Sequence, residues 1–200
     1  MNIFPIFPQI IAIDFIKNVD IKLIEKYCYD LYKTDKSSVI SNRGENSYQS
    51  PSLNLKFEVN DEMIKLLKEI ENKLSEVSNT IGFNSKIKIT NYWANINRKH
   101  CYNVDHVHQG SLLSAVFYVK VPENSGKITF LNPNDLLMES YLHGKNLNLN
   151  YDLIHCALSS TFTVEPKENC AIIFPSWLTH RVEHNNSDED RISISFNSIN

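Results

Sequence analysis

Two histidines separated by a single residue, His106 and His108, are the side chains in this sequence best suited to bind a metal ion. In an extended strand, alternate side chains leave the backbone on the same face, so both imidazoles would point the same way. Imidazole is the commonest metal-binding side chain near neutral pH. A third histidine, His180, ends a second apolar run that begins at residue 171. Together they predict a metal site with three imidazole ligands.

Arg191 is the second candidate for chemistry, because it opens the segment 191–196, in which polar and apolar residues alternate. That alternation predicts a core strand whose other face turns toward something polar. A guanidinium group binds a carboxylate through two parallel hydrogen bonds. Arg191 is therefore a candidate anion clamp, with the Ser193 hydroxyl on the same face. The alternative is a surface arginine paired with Asp188 or Asp190.

The composition is that of an ordinary folded protein. The chain has 200 residues, of which 42% are hydrophobic and 22% charged, enough for one domain with a real core. The net charge of −3 gives no reason to expect nucleic acid or an acidic membrane surface as a partner. We expect a cytoplasmic location, because the N-terminus lacks the features of a signal peptide and the apolar runs are too short to cross a bilayer.

The cysteines are isolated from one another and form no Cys-x-x-Cys pair: Cys28, Cys101, Cys156 and Cys170. This usage favours free thiols in a reducing compartment over a disulfide framework. A zinc site that combines Cys101 with His106 and His108 is an alternative, although its spacing matches no common zinc motif.

The N-terminal part predicts an edge strand and two helices. Prolines at 5 and 8 indicate an edge strand or an extended lead-in over residues 3–16. Asn18 or Asp20 can cap a helix to about residue 33, before a polar loop at 34–52 and a short strand at 53–57.

Asn60 caps the clearest helix, which Gly82 ends. Its apolar stripe is expected to pack on a sheet and consists of Ile64, Leu67, Ile70, Leu74, Val77 and Ile81.

From residue 86 onward the apolar residues recur with a period of two, which predicts strands. The predicted strands are 86–99, 111–121, 127–131, 159–164, 171–174 and 191–196. A turn is expected at 100–105, a hairpin turn at 123–126, and an irregular insertion that could cover an active site at 132–157. Many strands behind two helices predict a mainly β fold with flanking N-terminal helices, either a double-sheeted barrel or a jelly roll.

The strand at 86–99 carries asparagines on one predicted face, which consists of Ile87, Ile89, Trp93, Asn95 and Asn97. The opposite face consists of Tyr92, Ala94 and Ile96. Buried asparagines need hydrogen-bond partners, so Asn95 and Asn97 either line a polar cavity or lie in solvent near the strand end.

From about residue 86 to 196, the sequence resembles the Fe(II)- and 2-oxoglutarate-dependent oxygenases. It is similar above all to their prolyl-hydroxylase-like branch and to small oxygenases of bacteria and phages. The resemblance rests on a series of motifs in order: Trp93-Ala94-Asn95, His106-Val107-His108, Ser114 to Val119, Ser125 to Phe130, Phe174 to His180 and Arg191 to Asn197. It implies a double-stranded β-helix, related to the cupins, at about 86–200. Residues 1–82 would then be a helical support region of one domain spanning 1–200.

The resemblance also assigns roles to residues. His106 and His180 match the two histidine ligands, and His108 occupies the position where the family usually has a carboxylate. Arg191 matches the 2-oxoglutarate anchor, Tyr118 matches a tyrosine that binds the same carboxylate, and Ser193 and Asn95 are weaker candidates for lining that pocket. Asp105 is the alternative carboxylate, as a ligand or as a hydrogen-bond acceptor for an imidazole.

The implied activity is a dioxygenase reaction with Fe(II) and 2-oxoglutarate as cofactors, in which decarboxylation of 2-oxoglutarate is coupled to hydroxylation of a substrate. Ascorbate is the expected reductant in an assay, and the expected substrate is a small molecule or a protein side chain. Two alternatives stay open: a cupin-like three-histidine enzyme that does not use 2-oxoglutarate, and a catalytically silent metal-binding domain. The loops at 34–52 and 132–157 are expected to select the substrate.

Overall fold

Two antiparallel β-sheets and two helices make up the part of the chain that the computed structural model describes, residues 9–34, 42–44, 47–53, 59–83, 86–135 and 159–199. The six-stranded sheet has the order β1 (Ala12–Phe15), β9 (Cys170–Pro175), β6 (Leu113–Lys120), β11 (Arg191–Ile199), β4 (Lys88–Asn97) and β3 (Tyr48–Gln49). The five-stranded sheet has the order β2 (Asn42–Arg43), β5 (Tyr102–His106), β10 (His180–Val182), β7 (Ile128–Leu131) and β8 (Thr161–Val164). The helices are α1 (Ile21–Thr34) and α2 (Asp61–Thr80).

Both predicted helices are confirmed, and side chains satisfy their first backbone N–H groups. The Asp20 carboxylate accepts hydrogen bonds from the first turn of α1, and the Asn60 side chain accepts one from Met63 N at 2.8 Å. The prediction that Ile64 belongs to the buried stripe of α2 is wrong. Ile64 is 52% exposed, and Met63 is buried instead. The face of α2 that packs on the sheet is therefore centred about one residue earlier than predicted.

Because alternate side chains of a strand lie on opposite faces, the six-stranded sheet contributes to two separate hydrophobic cores. On β6, Ala115, Phe117 and Val119 pack with the helices, whereas Val116 and Tyr118 point between the two sheets. The helices therefore cover the outer face of the six-stranded sheet, and its inner face looks at the five-stranded sheet. This arrangement of two facing antiparallel sheets is the predicted double-stranded β-helix, or jelly roll.

A β-bulge corrects the predicted faces of β4. The register with β11 pairs Asn197 with Asn91 but Ser198 with Ile89, so one residue of β4 is left over between them. Ile87 and Ile89 therefore join the helix-side core, not the face of Trp93 and Asn95 as predicted. Downstream of the bulge the prediction holds, and Asn95 and Asn97 line a pocket between the sheets.

Two predicted turns are also corrected. Strand β5 replaces most of the turn predicted at 100–105, because the backbone of residues 102–106 pairs with β10 of the five-stranded sheet. The turn at 123–126 is not a hairpin, since β6 and β7 lie in different sheets and the turn carries the chain between them.

The apolar run that precedes His180 is likewise divided. Its first part is β9 in the six-stranded sheet, and His180 begins β10 in the other sheet.

The edge strand predicted within residues 3–16 is confirmed over β1, which pairs only with β9 among the described strands, and residues 3–8 lie outside the described residues. The predicted loop at 34–52 contains the short strands β2 and β3. Of the predicted strand at 53–57, Leu53 forms a bridge with Tyr92, and residues 54–58 lie outside the described residues. Most of the predicted insertion, residues 136–157, also lies outside them. No helix in the described ranges is long and apolar enough to cross a membrane.

Candidate metal and 2-oxoglutarate site

Three histidines that are far apart in the sequence meet at one point between the sheets. The end of β5 supplies His106, the start of β10 supplies His180, and these two residues are directly paired across the five-stranded sheet. His108 lies two residues beyond β5, where its backbone N–H donates to Ser176 O at 2.9 Å. One potential ligand atom from each of the three lies within 4.8 Å of the others. The predicted convergence of the imidazoles is therefore present.

The hydrogen bonds of the rings leave each Nε2 free for a cation. Nδ1 of His106 lies 2.7 Å from Val104 O, and Nδ1 of His180 lies 2.9 Å from Leu178 O. A carbonyl oxygen can only accept, so both Nδ1 atoms carry the proton and both Nε2 atoms present a lone pair. Oriented imidazoles of this kind are characteristic of metal ligands.

Burial keeps these imidazoles neutral. It lowers the pKa of His180 to about 3 and that of His108 to about 4, in both cases with a smaller contribution from neighbouring histidines. Burial also lowers the pKa of His106.

The Nε2 atoms of His108 and His180 are only 3.3 Å apart. Two imidazole nitrogens bound at right angles to one cation, each at about 2.1 Å, would lie about 3 Å apart, so the cluster fits a divalent transition metal.

Arg191 is buried in the same pocket and carries an unsatisfied donor. It is 1% exposed, and Nη1 donates to the backbone oxygens of Ser125 and Glu183, while Nη2 has no hydrogen-bond partner. Among the described residues no carboxylate forms an ion pair with it. Burial lowers its pKa to about 10, so the guanidinium is still charged at pH 7. A buried guanidinium without a counter-ion is costly, and a bound anion would compensate it.

The alternative considered for Arg191, a surface pairing with Asp188 or Asp190, does not occur. Asp188 pairs with Lys99 at 2.6 Å, and Asp190 accepts from the Tyr29 hydroxyl at 2.9 Å. Both carboxylates therefore belong to the surface, away from the buried arginine.

Tyr118, Asn95 and Ser193 line the pocket with Arg191, as predicted. The Tyr118 hydroxyl is buried without a hydrogen-bond partner, and burial raises its pKa, so it remains a neutral donor. Asn95 donates to Ser195 Oγ at 3.2 Å, and its Oδ1 is also unsatisfied. The β-ladder aligns Ser193 with both Tyr118 and Asn95. Unsatisfied buried groups beside a buried cation suit a polar anionic ligand such as a dicarboxylate.

Other candidates are not brought to the site. Asp105 is half-exposed and lies 3.5 Å from Arg181, and it is not part of the ligand cluster. Its side chain faces away because it alternates with His106 on β5. Cys101 is buried and is not part of the cluster. His100 and His184 are exposed, and His143 and His155 lie outside the described residues.

Sequence reasoning gave no role to Asn197, which contacts a histidine of the cluster. Its Oδ1 lies 2.6 Å from His108 Nδ1 and 3.1 Å from Ser114 Oγ. The available signal was the alternation on β11, which puts residue 197 on the same face as Arg191 and Ser193.

Three solved structures share this fold over most of the chain. A prolyl-4-hydroxylase from Pseudomonas putida has 14% identity and a TM-score of 0.60, with 94% of this chain and 92% of that chain covered. A prolyl hydroxylase from Trichoplax adhaerens, in complex with a peptide fragment of hypoxia inducible factor, has 16% identity and a TM-score of 0.63, covering 94% and 84%. The viral collagen prolyl hydroxylase of Paramecium Bursaria Chlorella virus-1 has 14% identity and a TM-score of 0.54, covering 93% and 94%.

No curated protein sequence matches this chain significantly. Residues 91–197 match the sequence profile of the family described as "Putative 2OG-Fe(II) oxygenase". This match contains the three convergent histidines and the strand of the buried arginine, and it covers more than half of the chain. By this match and by its jelly-roll fold, the chain belongs to the 2OG-Fe(II) oxygenases, enzymes that depend on Fe(II) and 2-oxoglutarate.

Proposed function

We propose that this enzyme hydroxylates its substrate at an Fe(II) ion held by His106, His108 and His180, with 2-oxoglutarate anchored by Arg191 and Tyr118. Three ligands on one side of an iron ion leave the other positions for 2-oxoglutarate and oxygen. When bound, Fe(II) and 2-oxoglutarate would supply, with O₂ as the oxidant, the chemistry that hydroxylates a substrate C–H bond: one oxygen atom goes to the product hydroxyl and the other to succinate, and carbon dioxide is released.

The protein's own residues would bind and orient these groups. The three Nε2 lone pairs hold the metal, and the Nδ1 hydrogen bonds keep the rings in place. Nη2 of Arg191 and the Tyr118 hydroxyl are donors for the far carboxylate of 2-oxoglutarate. Asn95 and Ser193 are further polar groups beside that carboxylate. The apolar walls from Val116 and neighbouring side chains exclude water from the buried end of the pocket.

The observation that carries this proposal is the unsatisfied Nη2 of Arg191, in the same pocket as three neutral imidazoles. In a three-histidine metal enzyme that does not use 2-oxoglutarate, the guanidinium would be a structural strand residue or would bind a carboxylate of the substrate itself. A catalytically silent domain would gain stability from replacing it with an apolar side chain. The silent domain therefore leaves this residue unexplained, and the dependence of succinate formation on Arg191 separates the other two functions.

The test is succinate formation from 2-oxoglutarate in the presence of Fe(II) and ascorbate. Turnover in the wild type, with a strong loss in Arg191→Ala at subsaturating 2-oxoglutarate, is the expected result. Metal-dependent turnover that Arg191→Ala leaves unchanged would contradict the assigned anchor. No succinate from metal-loaded wild type, with or without candidate substrates, would favour the silent domain.

For the substrate we propose a small molecule or a protein side chain. The lining of the pocket by described residues contains neutral polar side chains, and Arg191 is its one cation. Such a lining offers hydrogen bonds but no strip of positive charge that could hold a nucleic-acid backbone. Screening for stimulated succinate release with amino acids, peptides and small metabolites is the corresponding experiment.

A further inference from the structure

We propose that Asn197 is a positioning residue that fixes the tautomer of His108 and thereby makes it a metal ligand. This inference rests on the proposed function, in which His108 is the third ligand. The other two imidazoles are held by backbone carbonyls within their own strands or turns. His108 depends instead on a side chain from β11, remote in the sequence.

The contact is short and belongs to a small polar network. Asn197 Oδ1 lies 2.6 Å from His108 Nδ1 and also accepts from Ser114 Oγ at 3.1 Å. Ser114 Oγ in turn lies 2.8 Å from Ser176 Oγ, and Ser114 and Ser176 are fully buried. In the orientation that the amide takes in the structure, its oxygen therefore faces both the imidazole and the Ser114 hydroxyl, which donates to it.

The orientation of this amide decides what His108 can do. With Oδ1 toward the ring, Nδ1 carries the proton and Nε2 offers its lone pair at the cluster. With the amide reversed, Nδ1 would accept and Nε2 would carry the proton. Nε2–H would then donate to His180 Nε2, which is 3.3 Å away, and both nitrogens would be lost to a metal. A backbone carbonyl can present only its oxygen to an imidazole, whereas a side-chain amide can present either its oxygen or its NH₂ group.

Aromatic contacts hold the ring from the sides but do not choose its tautomer. Trp93 stacks on His108 with 5.4 Å between ring centroids, and Phe174 approaches edge-on at 6.0 Å. These contacts hold the ring plane, so loss of the amide leaves the ring in place with its tautomer no longer fixed. That separation makes the proposal testable apart from folding.

The experiment is an anaerobic titration with Co(II), read from its visible absorption bands, in the wild type and two variants at position 197. Asn197→Leu removes the acceptor at similar volume, and we expect Co(II) affinity to fall by about 10- to 100-fold. Asn197→Asp keeps an obligate acceptor, and we expect affinity at least equal to wild type. Asn91→Leu is the matched control, because Asn91 pairs with Asn197 across the sheet but bonds to Ser52 instead of a histidine.

Two results with the single variants would overturn the proposal. One is an Asn197→Leu variant that binds Co(II) within twofold of wild type, and the other is an Asn197→Asp variant as weak as Asn197→Leu. In a His108→Ala background, Asn197→Leu should cause no further loss of affinity. A further loss would show a general structural role and would also overturn it.

The design separates this inference from the proposed function. Wild type that binds no Co(II) would refute both. Wild type that binds Co(II) but releases no succinate from 2-oxoglutarate would refute the function alone, and the comparison of variants would still decide the role of Asn197.

Discussion

At Gly126, substitution by alanine should displace the Arg191 guanidinium from the proposed 2-oxoglutarate site without a contact to the metal ligands. The φ of Gly126, +88°, lies in the region that side chains disfavour. A Cβ there would lie 2.6 Å from His184 O, 2.7 Å from Glu183 O and 2.9 Å from Arg191 Nη1. Gly126→Ala must therefore displace either the guanidinium or the backbone that accepts from it.

The size of the effect follows from two contributions. A non-glycine residue at positive φ costs roughly 1–2 kcal/mol, and Gly82 allows that cost to be measured alone. It has nearly the same φ, +91°, and no atom lies within 4 Å of the place that a Cβ would occupy. The additional loss in Gly126→Ala is the hydrogen bond that Nη2 of a displaced Arg191 would no longer donate to bound 2-oxoglutarate. A hydrogen bond to a charged group is worth about 1.5–3 kcal/mol, which corresponds to roughly 10- to 150-fold in affinity.

The assay is calorimetric titration of 2-oxoglutarate into the Co(II)-loaded protein without oxygen, together with urea unfolding. We expect Gly126→Ala to bind 2-oxoglutarate at least tenfold more weakly than Gly82→Ala, with unchanged Co(II) affinity, and to unfold at lower urea. If 2-oxoglutarate binds to both variants within twofold of each other, the assigned path from Gly126 through Arg191 to the cofactor is refuted.

Three further predictions test separate parts of the structure. Asp105→Asn should leave Co(II) affinity within twofold of wild type, because that carboxylate faces Arg181; a loss above tenfold would restore it as a ligand. Tyr118→Phe should raise the free energy of unfolding of the metal-free protein by about 1 kcal/mol, since it removes an unsatisfied buried hydroxyl. The same substitution should weaken the binding of 2-oxoglutarate by about tenfold. The prediction fails unless Tyr118→Phe both raises the free energy of unfolding and lowers the affinity for 2-oxoglutarate. Asn60→Ala should lower the free energy of unfolding by about 1 kcal/mol through the lost cap on Met63, with succinate formation per folded molecule unchanged.

The largest errors in the predicted fold concern pairing between distant segments. Residues 102–106 have no strong strand pattern, and they form β5 because β10 supplies hydrogen-bond partners from far along the chain. The extra residue of β4 before Asn91 reverses the faces upstream of it, and a bulge leaves no reliable mark in a single sequence. The turn at 123–126 has the composition of a hairpin, but composition does not say which sheet the next strand joins.

For the candidate site, too, local sequence patterns predicted the residues but not the contacts between distant segments. The residue types and their alternation were enough to single out His106, His108, His180 and Arg191, because few side chains can bind a metal or an anion and their strand faces follow from a period of two. The structure alone reveals the consequences of contact. Asn197 meets His108, and Gly126 leaves room for Arg191.

By itself, the sequence determined which chemical groups this protein has and on which face of each strand most of them lie. Only the tertiary structure decided that the third imidazole is held by an amide from β11, that Asp105 faces away, and that the buried guanidinium keeps one donor unpaired. The physical reason is that periodicity is a local property of the chain. Burial, tautomer and hydrogen-bond satisfaction depend on atoms that meet only when the two sheets close on one another.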